Sequence, residues 1–184
     1  MSDDPSRVPG GAIHRTHPFL APESERNPVR RLRGRLTAPV TLWTAEAGTR
    51  AGLPVSSLLI VDGEPGRVLG LVDPDSEFWD VASDSNRFAV SFLTWRHRRL
   101  ADVFAGLHPS PGGPFRAGGW TTTDWGPVPD GVSTWAGCTV LDARPMGWSL
   151  AVEAEIAHMA LGDTPDEDPL LHRRGRYFTA DPEA

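Results

Sequence analysis

The chain has 184 residues and a net charge of −6, and all 18 of its basic side chains are arginine. The missing lysine excludes Schiff-base chemistry and a phosphate-loop lysine, and acidic residues spread along the chain argue against nucleic acid as a partner. One cysteine, Cys138, allows no internal disulfide, and no apolar run nears the roughly 20 residues of a membrane helix or forms a signal segment, so a soluble, cytoplasmic, single-domain protein is expected.

Residues 1–26 mix Asp, Ser, Pro, Gly and Arg around few apolar anchors and read as a flexible arm. His14 and His17 have helical spacing but no further metal ligand near them. From Asn27 the pattern predicts a short helix, with Asn27 as cap, Pro28 at the first position, and Val29, Leu32 and Leu36 on one face. Arg30, Arg31, Arg33 and Arg35 form its basic outer face, and Gly34 weakens it.

Val40 to Ala45 reads as a first strand, Ala51 to Leu59 as its hairpin partner, and Arg67 to Val72 as a third strand after a turn at Gly63 to Gly66. Asp73-Pro74-Asp75-Ser76 is a turn that can cap a helix over Glu77 to Ser83. Phe88 to Leu93 predicts a buried fourth strand, and Arg98 to Ala105 a helix stopped by Gly106. His108 to Gly131 is a long irregular stretch holding Phe115, Trp120 and Trp125, which either covers a site or packs onto the body of the fold. Trp135 to Ala143 and Ser149 to Leu161 predict two long antiparallel strands joined around Pro145-Met146-Gly147. Asp163 to Asp168 follows as an acidic loop, and Leu170 to Phe178 as one closing strand. Seven or so short strands among 19 glycines and 18 prolines point to a small, mainly β barrel or sandwich with few peripheral helices.

Within the second strand, Ser56 and Ser57 place two hydroxyls between apolar residues. Alternation puts Pro54, Ser56 and Leu58 on one face and Val55 and Ser57 on the other. One hydroxyl can then face a pocket, or both can decorate an edge strand.

These landmarks, in order, resemble the flavin reductase-like proteins of the FMN-binding split-barrel fold. The residues that carry the resemblance are Ala38-Pro39-Val40-Thr41, Gly52-Leu53-Pro54-Val55-Ser56-Ser57, Val72-Asp73 with Ser76, and Asn86-Arg87-Phe88-Ala89-Val90. Leu100-Ala101 before Phe104-Ala105-Gly106, Asp130-Gly131, Trp135, Cys138 and Arg174-Gly175-Arg176-Tyr177 extend it to most of the chain. The resemblance implies a Greek-key split β-barrel over residues 27–178, a short tail over 179–184, and a homodimer with FMN near its interface. It makes Val55, Ser56 and Ser57 ring-binding candidates, Ser76 a phosphate candidate, and Ser91, which stands where an asparagine is frequent, a further cofactor-binding candidate. The flavin itself does the hydride chemistry, so no acid, base or nucleophile need be found.

Four departures from the family pattern bear on function. Pro54 removes a backbone N–H beside the ring site. Glu77 and Phe78 stand where a basic residue and a threonine are usual, with Asp75 and Asp80 near, so either an arginine among Arg96, Arg98, Arg99 and Arg176 offsets them or the phosphate end binds elsewhere. The histidine that many members carry before the penultimate strand is replaced by Trp148 and Ser149, while His97 and His108 read as loop residues and His158, by parity with Leu150, as a core or interface residue. The expected activity is hydride transfer from NADH or NADPH to FMN, with a flavin-dependent monooxygenase as a partner for the reduced flavin. The competing expectation is a split barrel that binds a flat ring without turnover, or a structural dimer that has lost the cofactor. A metal hydrolase fits poorly, because six histidines and one cysteine show no ligand spacing.

Overall fold

The computed structural model describes residues 28–163 and 168–180. The expected arm, the Asn27 cap, His14 and His17, most of the acidic loop and the end of the tail lie outside the described residues.

The first part of the chain forms α1 (Pro28–Arg33), β1 (Ala38–Pro39), β2 (Thr41–Glu46), β3 (Arg50–Val55), β4 (Leu58–Val61) and β5 (Arg67–Val72). Then come α2 (Glu77–Ser85), β6 (Arg87–Phe92), α3 (Arg98–Phe104), β7 (Trp120–Thr121) and β8 (Val128–Pro129). The long strands β9 (Trp135–Met146) and β10 (Ser149–Ala160) precede a final pair, β11 (Leu171–Arg173) and β12 (Arg176–Phe178).

Seven strands make one antiparallel sheet in the order β3-β2-β6-β9-β10-β5-β4. Its two end strands, β3 and β4, are consecutive in the chain and separated by only Ser56 and Ser57, so the sheet must curl until its edges meet. The result is the expected Greek-key split barrel with a seam at the serine pair. The single strand expected over Ala51 to Leu59 is therefore two strands: β3 pairs with β2, β4 pairs with β5, and the chain changes partner at Ser56–Ser57. On the two sides of the seam, the Leu71 amide of β5 donates to the Ser57 carbonyl at 2.9 Å, extending the β4–β5 ladder, and the Thr41 hydroxyl of β2 donates to the Val55 carbonyl of β3 at 2.6 Å.

Aromatic rings fill the barrel. Trp43 stacks on Phe88 with centroids 4.7 Å apart, and Phe78 meets the two edge-on at 6.0 and 5.8 Å. All three are buried. Room for the indole comes from Gly70, where a Cβ would overlap the Trp43 ring. The amphipathic helix α2 closes one end of the barrel by burying Phe78, Val81 and Ala82.

Several sequence expectations shift for identifiable reasons. The β9–β10 turn is Gly147–Trp148, with Gly147 at φ 61°, and β9 runs through Pro145 to Met146. Proline is tolerated there because beyond Thr139 β9 has lost its β6 neighbour and pairs only with β10, the edge position that accepts proline in a sheet. The closing strand is a hairpin: Arg174 and Gly175 both take positive φ, 52° and 74°, which turns β11 back as β12, and β11 also pairs with β1. His158 is exposed rather than in the core, because a bulge at Ala157 breaks the alternation of β10. Ile156 pairs with Cys138 and His158 with Gly137, its neighbour on the opposite face. Helix α1 ends at Arg33, and its expected apolar face stays exposed, Leu32 at 68%.

Outside the barrel, α3 and residues 108–131 lie over the row that β2 and β3 present. Phe104 packs onto Gly52 and meets Phe115 and Trp120 at 5.0 and 5.6 Å. Trp125 packs onto Gly137 and stacks on His158 at 5.0 Å. The aromatics of the long loop thus pin it to the sheet.

Candidate functional site

A cleft of about 500 Å³ opens where the seam, the end of α3 and the β11–β12 hairpin meet. Ser56 and Pro54 form one wall, as alternation along the strand predicted. Val40 and Leu107 add apolar surface, and Arg176, Tyr177, His172 and Asp102 supply the opposite, polar wall. Its size is that of a small-molecule site, with apolar walls and a few convergent polar groups.

Each element delivers its residue for a local reason. Ser56 reaches the cleft because the chain leaves β3 there and no ladder claims its position. Arg176 and Tyr177 arrive on β12, held by the tight Arg174–Gly175 turn and by the pairing of β11 with β1. Helix α3 brings Asp102, and Gly106 at φ 71° ends the helix so that Leu107 can fold back to the rim. Electrostatically the polar wall is mixed. Burial first, and then the negative Asp102, push the Tyr177 phenol up from 10.0 to about 12. It therefore keeps its proton throughout the neutral range and can only act as a hydroxyl. Asp102 also faces His108, with Nε2 3.7 Å from Oδ2, and the His172 ring meets Tyr177 edge-on at 5.8 Å.

Of the residues singled out in the sequence, Ser56 and Arg176 are brought together in this cleft, while Val55, Ser57, Ser76 and Ser91 do not line it. Val55 is buried, and its carbonyl is taken by Thr41. Ser76 caps α2: its hydroxyl donates to the Asp73 carbonyl at 2.7 Å and accepts from the Trp79 amide at 3.3 Å. Asp73 accepts from the Asp75 amide at 3.0 Å, so the acidic turn is held by its own hydrogen bonds, and Phe78 beside it belongs to the barrel core. Ser91 is fully buried, opposite Leu42 and Trp135 across the sheet, and its hydroxyl has no hydrogen-bond partner among the described residues.

Of the four arginines considered for a phosphate, only Arg176 shares the cleft with Ser56. Arg98 lies over the Trp95 ring at 4.9 Å, and Arg96 and Arg99 sit on the far side of α3. His97 is a structural cap whose Nδ1 accepts from the Thr94 amide at 3.2 Å. Trp148 projects from the β9–β10 turn and is 96% exposed. Asp102, His172 and Tyr177 carried no sequence signal as a group, because they come from two segments 70 residues apart that meet only in the fold, where β1 pairs with β11 and Leu93 and Thr94 meet Leu170 and Pro169.

A polar wall with one cation, one carboxylate, one imidazole and two hydroxyls, over an apolar floor, suits a flat heteroaromatic ring with a polar edge. No group of three or more His, Cys, Asp or Glu among the described residues is arranged to hold a metal, and Cys138 is buried with its thiol pushed up to about 12.

Comparison with known proteins agrees with this geometry. The reductase subunit HsaB of a flavin-dependent monooxygenase from Mycobacterium tuberculosis (strain CDC 1551 / Oshkosh) is 24% identical over 148 residues, covering 80% of this chain and 78% of that one. The crystal structure of a nitrilotriacetate monooxygenase component B homologue from Mycobacterium thermoresistibile matches with a TM-score of 0.76 at 27% identity, over 84% of this chain and 86% of that one. The NADH:FAD oxidoreductase SgcE6 of Streptomyces globisporus C-1027, in complex with NAD and FAD fragments, has the same fold, with a TM-score of 0.77 at 22% identity over 90% and 98% of the two chains. The model of the flavin reductase like domain matches residues 33–181, most of the chain, and the protein belongs to that family.

Proposed function

We propose that the protein is a flavin reductase that transfers hydride from NADH or NADPH to FMN held in the seam cleft, and that the reduced flavin serves a flavin-dependent monooxygenase in the cytoplasm. The observation that carries this reading is the meeting of Ser56 and Arg176 across a cleft of about 500 Å³ in a barrel of the flavin reductase family. The flavin, when bound, supplies the electron-accepting ring on which hydride chemistry depends. The chain's own residues bind and orient it. Ser56 and the protonated Tyr177 are hydroxyls for the polar edge of a ring, Pro54 and Val40 are a surface for its face, and Arg176 is the cation for a phosphate.

Arg176 also answers the departure at Glu77 and Phe78. With the Ser76 hydroxyl committed to its cap and carboxylates around it, the phosphate end has its counter-charge on β12 instead. Ser57 contributes backbone at the seam, and Val55 and Ser91 support the sheet behind it.

A homodimer is part of the proposal. Every apolar side chain of β4 from Leu59 to Val61 is turned outward, Leu59 at 63%, and Met146, Trp148 and Met159 add exposed apolar surface on the β9–β10 ladder. Patches of this kind are characteristic of subunit contacts, and a second copy covering β4 would lie next to the seam. No helix among the described residues is long and apolar enough to cross a membrane.

Two measurements test the reading. Titration with FMN and FAD, followed by the visible spectrum, reports flavin binding, and absorbance at 340 nm reports nicotinamide oxidation. The expected result is binding that weakens in Arg176→Gln, together with flavin-dependent oxidation of NADH or NADPH. A protein that binds flavin but oxidises neither nucleotide is the non-catalytic ring binder, and one that binds no flavin overturns both. Sedimentation as a monomer at micromolar concentration would remove the dimer.

A further inference from the structure

The face of α3 opposite the seam cleft carries a second concavity, of about 580 Å³, whose charge is unlike the rest of this acidic chain. Three arginines line it: Arg96 from the turn before α3, Arg99 from the first turn of α3, and Arg116 from the short turn Pro114–Arg116 across the gap. Asp130 is the only carboxylate lining it among the described residues, and it accepts a hydrogen bond from the Thr121 hydroxyl at 3.1 Å. Arg99 and Arg116 have no carboxylate within salt-bridge distance among the described residues.

Both walls are built. Phe115, next to Arg116, is wedged against Phe104 and Trp120, so the loop wall is fixed to α3. The Trp120 indole donates to the Phe115 carbonyl at 2.9 Å and closes that turn. On the other wall the Arg96 guanidinium donates to the Gly131 carbonyl, and the buried ring of His97 supports the base. Arg98, the other cation of this segment, is drawn away over Trp95. Gly118 and Gly119 leave the rim without side chains, and a Cβ on Gly118 would meet nothing.

Arg99 and Arg116 face one gap with no carboxylate partner among the described residues, and the planar guanidinium fork matches phosphate oxygens in pairs. We propose that this cleft is an anion site for the phosphate or pyrophosphate group of a small nucleotide, separate from the seam cleft and placed on the opposite face of the same helix. It does not depend on the flavin reading, since it uses none of the residues assigned there. Because α3 also presents Asp102 and Ala105 to the seam cleft, an anion held by Arg99 would reach that site through one rigid element.

The test is calorimetric titration of the full chain with inorganic phosphate, pyrophosphate and ADP at low and at physiological salt. Pyrophosphate is expected to bind, with affinity falling as salt rises, and Arg99→Gln/Arg116→Gln to weaken it at least tenfold while circular dichroism is unchanged. ADP binding like pyrophosphate supports recognition of phosphate alone, and ADP binding more than tenfold tighter supports a nucleotide. The Arg99→Lys/Arg116→Lys variant, which keeps the charge and loses the fork, is expected to fall between wild type and the glutamine variant, and it serves if the latter misfolds. Failure of all three anions to bind the wild type, or binding by the double variants equal to wild type, overturns the proposal.

Discussion

The inside of the barrel and the layer over its outer face use one device for different ends. In both, an aromatic ring is let down onto a glycine: Trp43 on Gly70 inside, Phe104 on Gly52 and Trp125 on Gly137 outside. Inside, the rings pack on one another and on apolar walls, and the space is filled. Outside, the same packing supports a helix whose two flanks stay open as clefts. The interior therefore sets stability, whereas the outer layer sets the shape of the sites.

Trp43→Ala should give the largest effect, a loss of about 3 to 5 kcal/mol in chemical denaturation. Besides its contacts, the indole N–H donates to the Thr41 hydroxyl at 3.0 Å, a bond that anchors β2 beside the seam. A smaller loss would show that the barrel can collapse onto the gap. Next come the two glycines. Gly70→Ala and Gly52→Ala should each cost about 1 to 3 kcal/mol by overpacking, but only Gly52→Ala, which displaces Phe104 and with it α3, should also weaken FMN, by tenfold or so. Equal effects of the two on FMN binding would erase the distinction between interior and cover. Serines sharpen it further. Ser76→Ala should remove about 1 kcal/mol of stability through loss of the α2 cap and leave FMN affinity alone. Ser56→Ala should do the reverse, weakening FMN about fivefold with the midpoint unchanged.

The smallest effect is a titration. The chain has one tyrosine, so alkaline absorbance reads Tyr177 directly. Its phenol is raised from 10.0 to about 12, which means the folded state holds the proton more tightly than the unfolded chain does. That contribution is complete below pH 10 and is lost as pH climbs toward 12. Asp102→Asn should bring the absorbance midpoint back toward 10 by removing the nearby negative charge, with burial holding it above that value.

The barrel was legible in the sequence because its signals are local. The turn at Gly63 to Gly66 and the cluster at Asp73 bounded Arg67–Val72 to the residue, Asp73–Ser76 announced the cap of α2, and Gly106 the end of α3. Misreadings arose where pairing is decided at a distance. Nothing in Val-Ser-Ser-Leu says that β3 and β4 take different partners, since that follows from closing a seven-stranded sheet. A single extra residue at Ala157 moved His158 to the other face, and two positive φ angles turned one expected strand into a hairpin. Parity said that one of Ser56 and Ser57 could face a pocket without saying which, and Arg176 was one of four candidates. That these two share a cleft while Ser76 serves its own helix could be read only from the packing.

The seam at Ser56–Ser57 also bears on how the protein is made and kept. The site is bordered by the two ends of the sheet, so it does not exist in any partly assembled barrel; it forms with the last closure. A ligand held there binds the closed state and not the open chain, and at a hundred times its dissociation constant it adds about 2.7 kcal/mol to the stability of the whole barrel. The Leu71 amide, bonded to the Ser57 carbonyl where the β4–β5 ladder reaches the seam, is the proton to watch: bound cofactor should slow its exchange in step with global unfolding. If the cofactor binds there, its supply becomes a determinant of how long the folded chain survives in the cell.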